Sequence, residues 1–208
     1  MAISLQVYTY KGIEMIEDQP ARKRNAEDTR KAILASARRA FAEVGYDGAG
    51  LRGIAEAAGV TAMMVGRYFG SKEQLFAAVV ADTMRDPVIL SGDNITSDQM
   101  ATQFARALVG LSAPGADVLD GFRVMWKSGG SEVASRIARE QIVTVHQATT
   151  EGVMVGDHVR QRAALLLSLV AGVQLMRQQI ALPALTEADP EVLVTLLQPL
   201  FAALLAKQ

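Results

Sequence analysis

The chain has 208 residues, half of them hydrophobic, which is enough for one or two domains with a substantial core. The absence of cysteine excludes disulfides and Cys-ligated zinc or iron–sulfur sites. With 21 basic and 22 acidic residues the net charge is −1, which excludes a global polybasic field, but residues 22–72 carry ten basic and five acidic side chains. This segment therefore predicts one surface that faces an anion.

The N-terminal quarter changes character near residue 26. The first 25 residues have a mixed composition, end in the basic residues 22–24, and predict a flexible leader. From Asp28 onward, apolar residues at helical spacing predict a helix, and the glycines in 45–48 predict its end. The apolar positions of this helix are Ile33, Ala37, Phe41 and Val44.

Two short helices around a tight turn form the most informative pattern of the chain. The first is predicted over 50–58, and the second begins after Thr61, whose hydroxyl suits an N-cap. Ser71 then caps a longer helix, and the arrangement predicts a helix-turn-helix. In its second helix Val65 and Phe69 are predicted to face inward, leaving an outer stripe for the DNA major groove that consists of Ala62, Met63, Gly66 and Arg67.

Two cations of this region suit contacts with DNA. Arg67 can form two hydrogen bonds to a guanine edge or hold a phosphate. Lys72 stands where its ammonium and the free backbone N–H groups of a helix start would grip a phosphate. A solvated helix face shows the same pattern, and the local positive charge favours DNA.

Glycine and proline residues divide the rest of the chain into five predicted helices, over about 97–111, 117–127, 131–149, 157–182 and 190–206. With no strand pattern visible, we expect an all-α fold of about nine helices. Its predicted parts are the leader (1–25), a DNA-binding domain (26–72) and a ligand-binding and dimerisation domain (73–208). The longest uncharged apolar stretch, 163–176, is shorter than the roughly 20 residues of a membrane-spanning helix, so we expect no membrane partner. The lack of cysteine fits a reducing compartment, and we expect a cytoplasmic protein.

Methionine and aromatic residues recur on the middle helices and allow two interpretations. They fit a plain core, because flexible thioethers fill gaps well. They also fit an adaptable pocket for an apolar or aromatic ligand, with Gln103 or Gln174 as additional polar groups. The candidate ligand-binding residues are Met100, Phe104, Phe122, Met125, Trp126, His146 and Met176.

Catalysis and metal binding have few candidate residues. The two histidines, His146 and His158, lie on different predicted helices, and neither a metal-binding spacing nor a nucleophile elbow is present. Residues 48–53 match G-x-G-x-x-G, but a predicted helix precedes them where a dinucleotide site needs a strand. We therefore expect no enzymatic activity, no metal and no cofactor.

Three segments together resemble the TetR family of transcriptional regulators. They are Thr29-Arg-Lys-Ala-Ile-Leu34 with Phe41-Ala-Glu-Val-Gly-Tyr-Asp47, then Ile54-Ala-Glu-Ala-Ala-Gly-Val-Thr61, then Arg67-Tyr-Phe-Gly-Ser-Lys-Glu-Gln-Leu-Phe76. The resemblance covers about residues 29–80 and extends more loosely to the C-terminal helices. It implies a homodimeric repressor that binds a palindromic operator on double-stranded DNA and releases it when a small effector binds.

The resemblance also implies roles for individual residues. Thr61 caps the recognition helix, Arg52 on the preceding helix adds a contact, and the base and phosphate contacts fall on Ala62, Met63, Met64, Gly66, Arg67, Tyr68 and Lys72. The last two long helices would pair with those of a second copy in a four-helix interface. The interface residues are Leu169, Val173, Leu193, Leu197, Leu200 and Leu204.

The chain departs from the family pattern in its helix-turn-helix, called the reading head. Ala49 and Gly50 stand where a Thr or Ser usually caps the second helix, and Gly66 stands where an aromatic residue usually touches phosphate. Met63 and Met64 replace small or polar residues and would suit thymine methyl groups. We therefore expect a looser and more apolar reading head.

Two other functions stay open. A dimeric small-molecule sensor could have lost DNA binding through Gly66 and the missing cap, and salt-dependent binding to DNA would separate it from a repressor. An α-helical enzyme could use His146, which a turnover assay on a bound ligand would reveal.

Overall fold

The computed structural model describes residues 19–85, 87–116 and 120–207. These residues contain helices and no strand, which confirms the all-α prediction. The helices of seven or more residues are α1 (Gln19–Gly48), α2 (Leu51–Ala57), α3 (Ala62–Phe69), α4 (Lys72–Thr83), α6 (Met100–Leu111), α7 (Asp120–Ser128), α8 (Glu132–Gln141), α10 (Val159–Gln174) and α12 (Pro190–Leu205). The short helices are α5 (Gly92–Ile95), α9 (Ala148–Gly152) and α11 (Pro183–Thr186).

Helix α1 begins at Gln19, earlier than the predicted start at Asp28. The residues of 21–24 and 26–27 are mostly alanine, lysine, arginine and glutamate, which have high intrinsic helix propensity, so the helix extends into the predicted leader. Residues 1–18 of that leader lie outside the described residues. Near its other end α1 is interrupted at Gly45, which has φ 72° and ψ 179°.

The first apolar core joins the four N-terminal helices to two helices from later in the chain. Phe41 of α1, Phe76 of α4 and Val124 of α7 are fully buried in it, and α8 adds Ile137. Val44 shares the helical spacing of the apolar positions of α1 but is 54% exposed. One face of a helix can be apolar beyond the width that its neighbours cover, and the helical period alone does not mark that limit.

The second core is built from α6, α10 and α12. Phe104 and Phe201 meet edge to face with ring centroids 5.9 Å apart, and Leu166 of α10 is fully buried beside them. The guanidinium of Arg162 is buried there and donates to the carbonyl oxygens of Leu204 (2.9 Å) and Ala206 (2.6 Å) at the end of α12. Such bonds satisfy carbonyls that have no partner within their own helix.

Two π-helical segments interrupt the C-terminal helices, π1 (Ile142–Gln147) after α8 and π2 (Leu175–Gln179) after α10. Within π2 the buried Arg177 donates to the carbonyl oxygen of Val109 and to Ser112 Oγ, both at 2.7 Å. The end of α10 is thereby attached to the end of α6. Single-turn π segments often occur at functional sites.

One helical stretch, Val159–Gln179, is long and apolar enough by length and composition to cross a membrane. In its most apolar part, 22% of the residues are buried. A core helix of a globular protein passes the same test. The stretch contributes Ala163 and Leu166 to the second core and holds the hydrogen-bonded Arg162 and Arg177. Most residues of this apolar stretch are nevertheless exposed or half-buried on a single chain.

Candidate DNA-binding face and ligand cavity

Helix α3 divides into a buried face and an exposed face as its sequence predicts. Val65 and Phe69 are buried, whereas Ala62, Met63 and Arg67 are exposed. Met63 has 85% of its surface exposed, the most among the exposed large hydrophobic residues. The half-buried positions between the two faces are Met64, Gly66 and Tyr68. The exposed stripe is free to enter a groove while the buried face holds the helix on the core.

Side-chain caps fix the N-terminal ends of α3 and α4. Thr61 Oγ1 accepts a hydrogen bond from the Met64 N–H at 3.3 Å, and Ser71 Oγ accepts one from the Gln74 N–H at 3.1 Å. Gln74 Oε1 in return accepts from the Ser71 N–H at 2.9 Å, which completes a capping box. Gly50 is the N-cap residue of α2 and provides no side-chain cap, and Arg52 is exposed in the first turn of that helix.

Aromatic rings hold two cations beside α3. Lys72 Nζ lies 4.6 Å from the ring centre of Tyr46, and Arg30 Cζ lies 4.8 Å from the ring centre of Phe69. Such cation–π contacts favour one position of a side chain that would otherwise be mobile. Burial, followed by the nearby carboxylates of Glu73 and Asp47, raises the pKa of Tyr46, so its ring stays a neutral phenol.

A cavity of about 650 Å³ lies between the two cores. Helix α7, helix α10 and the segment 87–90 form most of its wall, and Arg38 of α1 and Thr83 of α4 also reach it. Its volume is typical of a pocket for a drug-sized molecule. The principal apolar wall residues are Met84, Phe122, Met125, Trp126, Leu167 and Val170.

Polar groups in the cavity wall are few. His146 on π1 has a buried Nδ1 atom with no hydrogen-bond partner among the described residues, and burial lowers the pKa of its imidazole, which is therefore neutral near pH 7. Gln174 is buried and also lines the cavity, whereas Gln103 does not. Arg38 is the one charged residue among the described wall residues. The described wall is therefore mostly apolar, and its one charged residue disfavours a cation.

The structure places three of the predicted ligand residues away from this cavity. Phe104 is fully buried in the second core, Met100 packs against that core, and Met176 is 40% exposed on π2. The residue types along one face of a helix do not show whether that face meets a cavity or another helix. Four predicted residues do meet at the cavity: Phe122, Met125, Trp126 and His146. No spacing in the sequence pointed to Arg38 or Thr83, which come from helices far away along the chain.

Helix α12 has two apolar faces, and the predicted interface mixed them. Leu193 and Leu197 are buried in the second core of their own chain, so they are unavailable to a partner. Leu196 is 62% exposed and Leu200 49% exposed. Helix α10 adds the exposed Leu165, while the half-buried Leu169, Val173 and Leu204 pack against the second core. An apolar stripe of this extent on two adjacent helices is typical of an interface.

Among the described residues no group of three or more histidine, aspartate or glutamate side chains could hold a metal ion. The candidate site consists of the exposed face of α3 with its flanking cations, the cavity, and the apolar stripe on α10 and α12.

Comparison with known proteins assigns both halves of the chain. Residues 33–79 match the family model of the bacterial regulatory proteins of the tetR family, and residues 98–205 match that of the tetracyclin repressor-like C-terminal domain. The HTH-type transcriptional repressor AcnR of Corynebacterium efficiens and that of Corynebacterium glutamicum are each 44% identical over 55 residues. The matched segment is 26% of this chain and 29% of the length of these relatives.

Solved structures share the fold over most of the chain. A TetR-family regulator from Streptomyces coelicolor is 27% identical, with a TM-score of 0.63 over 86% of this chain and 95% of the other. The multidrug binding protein EbrR, solved with malachite green, is 16% identical, with a TM-score of 0.60 over 85% of this chain and 98% of the other. The likeness to EbrR extends to the fold alone.

Proposed function

Because the chain belongs to the TetR family of bacterial regulatory proteins, we propose that it is a dimeric repressor that releases a palindromic operator when an uncharged apolar effector fills the cavity. The observation that carries the proposal is the division of α3. Val65 and Phe69 anchor the helix, and its opposite face presents Met63 and Arg67 to solvent. DNA in the cytoplasm is the partner that this face fits.

The exposed face supports a reading head with both apolar and ionic contacts. Met63 presents a flexible thioether that can touch a thymine methyl group, and Arg67 can pair with a guanine edge. Lys72, Tyr68 and Arg52 flank this pair and would hold the phosphate backbone. Two such heads about 34–36 Å apart would meet successive major grooves of a palindromic site.

The exposed stripe of α10 and α12 supports a twofold interface that differs from the predicted one in the residues that it contains. Leu165, Leu196 and Leu200 lie at its exposed centre, and Leu169 and Val173 lie at its edge toward the second core. A second copy that presents the same stripe would bury these leucines from water, and about 1.5–3 kcal/mol is gained for each fully buried large apolar side chain. A four-helix arrangement of α10 and α12 with their mates also accounts for the low burial of the Val159–Gln179 stretch.

The cavity supports effector control because α4, which begins at the DNA-binding face with Lys72, ends at the cavity wall with Thr83. A ligand that changes the packing around Thr83, Met84 and α7 acts directly on the helix that carries Lys72. EbrR shares this fold and was solved with malachite green, a cationic dye. The described wall of the present cavity offers Arg38 and no carboxylate, so we propose a preference for neutral ligands over cationic ones.

Footprinting on the DNA that flanks the gene of this protein tests the proposal. We expect a protected palindrome, with affinity that decreases steeply as salt rises. Arg67→Ala should relax the preference at one base position by about 1–3 kcal/mol, whereas Lys72→Ala should weaken all sequences alike and reduce the salt slope by about one. Arg160→Ala, which removes an exposed arginine at the start of α10, is the charge-matched control.

The result separates a repressor from its alternatives. An absence of salt-dependent binding would support a dimeric sensor without DNA binding. Equal, sequence-independent losses from Arg67→Ala and Lys72→Ala would contradict the base-reading role of Arg67.

A further inference from the structure

The end of the cavity helix α7 is seated in the interruption of α1. Ser128 Oγ, at the last residue of α7, accepts a hydrogen bond from the backbone N–H of Tyr46 at 3.0 Å, and both residues are buried. The neighbouring Gly45 lies against the carbonyl group of Lys127. The position of Tyr46 is therefore tied to α7 by a buried hydrogen bond, whose loss would leave the Tyr46 N–H group unsatisfied.

The ring of Tyr46 in turn contacts the first two turns of α4. It meets Phe76 edge to face with ring centroids 5.1 Å apart, and Lys72 Nζ lies 4.6 Å from its centre. Lys72 is the first residue of α4 and is half-buried. Tyr46 thus contacts α7 through its backbone and α4 through its ring.

The other side of α7 faces the cavity. Met125 and Trp126, three and two residues before Ser128, are in the cavity wall. A short helix moves as one body, so a displacement at these residues also moves the group that accepts the hydrogen bond from Tyr46. The described contacts run from the cavity wall through Ser128 and Tyr46 to Lys72 without a gap.

We propose that Tyr46 is a positioning residue that holds Lys72 for phosphate binding, and that Ser128 transmits the position of α7 to it. This inference rests on the proposed function, since it assigns Lys72 to the DNA backbone. A lysine held over a ring loses less side-chain freedom when it binds a phosphate than a lysine in free solvent does. The ammonium keeps N–H donors on the side away from the ring for the phosphate oxygens.

The DNA-free protein provides the first test. An ammonium stem over an aromatic face has ring-current-shifted proton signals, so we expect the Lys72 ε-methylene signals upfield of those of exposed lysines. Tyr46→Leu should remove this shift and Tyr46→Phe should retain it. Phe41→Leu is the matched control because Phe41 lies in the same aromatic cluster, stacked on Tyr46 with centroids 6.1 Å apart.

DNA binding by folded variants provides the second test. Tyr46→Leu should weaken operator binding by about fivefold, the loss expected for one cation–π contact, and should reduce the salt slope. Tyr46→Phe should bind as the parent chain does. In the Lys72→Ala background, Tyr46→Leu should cause no further loss, since the two residues act as one unit.

Ser128→Ala tests the connection to α7. It should move the Lys72 signals and weaken operator binding, although Ser128 is buried away from solvent. Ser131→Ala is the matched control, because Ser131 is also a buried serine and gives no side-chain cap to α8. A purely structural role of Ser128 would lower the melting temperature and leave the Lys72 signals unchanged, which would overturn the proposal.

The two hypotheses fail in different ways. If the parent chain binds its operator but Tyr46→Leu binds equally well at every salt concentration, the positioning role is wrong and the proposed function stands. If the parent chain binds no DNA, the proposed function and the phosphate role of Lys72 both fail. An unshifted Lys72 signal in the parent chain overturns the positioning role in either case.

Discussion

The backbone of Gly45 lies directly against the backbone carbonyl of Lys127, so a glycine in α1 forms the seat for the end of α7. Gly45 has φ 72° and ψ 179°, a backbone conformation that is essentially restricted to glycine. A Cβ atom at this position would clash with the Lys127 oxygen. The backbone conformation of this position and its close approach to Lys127 thus both require glycine, at the point where the first core meets α7.

We expect Gly45→Ala to destabilise the protein strongly. The strained backbone alone costs about 1–3 kcal/mol, and the clash with Lys127 adds to it by displacing α7. Urea unfolding followed by circular dichroism measures the loss. The control is Gly53→Ala in α2, where nothing beyond the chain neighbours and the helix's own nearby backbone lies within 4 Å of the added Cβ; there the better helix propensity of alanine should raise stability by about 1 kcal/mol. Similar behaviour of the two variants would contradict this account of Gly45.

Replacement of Leu196 and Leu200 by glutamate should give folded monomers. Both side chains are exposed on one chain, so the variant keeps its own core, but an interface would have to bury unpaired charges at a cost of several kcal/mol each. Sedimentation measures the mass, and the monomers should no longer hold two operator half-sites. A variant that stays dimeric would refute the interface.

Two control variants separate assembly from folding. Glutamates at Val44 and Val155, which are also exposed but lie off the α10 and α12 stripe, add the same charge and should leave the dimer intact. Leu193→Glu places a charge in the second core and should reduce the stability of the chain itself.

Trp126 should report on the cavity. It is the only tryptophan of the chain, is 51% exposed, and belongs to the cavity wall. Binding of the neutral dye N-phenyl-1-naphthylamine should cover the indole, shift its emission to shorter wavelength and excite the dye by energy transfer. Malachite green should bind more weakly, because the described wall has no carboxylate to pair with a cation.

A cavity-filling variant controls this measurement. Val170→Trp places a large ring in the wall of the cavity, although it also adds a second indole, so dye emission after direct excitation is the readout there. Dye binding that survives Val170→Trp, or indole emission that ignores bound dye, would contradict the cavity assignment.

His146 should make stability depend on pH. Burial lowers the pKa of the folded imidazole below its ordinary value of 6.5, so between the two values the unfolded chain binds more protons. Stability from this group is therefore complete above about pH 6.5 and is lost as the pH falls toward the folded pKa. Arg38 lines the same cavity and adds no negative charge that would oppose this shift.

Denaturant unfolding at pH 7.5 and pH 5.5 tests this dependence. His146→Gln should reduce the difference in unfolding free energy between the two pH values. His158→Asn is the control, since His158 is exposed and asparagine tolerates its left-handed backbone with φ 54°. An equal reduction by both substitutions would remove the role of His146.

Local interactions explain what the sequence predicted well. The hydroxyls of Thr61 and Ser71 cap helices through N–H groups three residues away, and Val65 and Phe69 are one helical turn apart, so the helix-turn-helix follows from contacts within a few residues. The resemblance to the family over residues 29–80 rests on the same short segments, and the family models confirm it and extend it to residues 98–205.

Tertiary packing decided which apolar residues face a neighbour, a void or solvent. Leu193 and Leu196 are both leucines of one apolar helix, and only the placement of α6 and α10 buries the first and exposes the second. The cavity combines Arg38 with His146 and Gln174, and Tyr46 meets both Lys72 and Ser128 across 26 and 82 residues of chain. The sequence by itself determined the helix-turn-helix, its caps and the exposed stripe of α3, because those depend on neighbours along the chain. The cavity wall, the free face of α12 and the Ser128–Tyr46–Lys72 contacts depend on how separate helices pack, which no local pattern encodes.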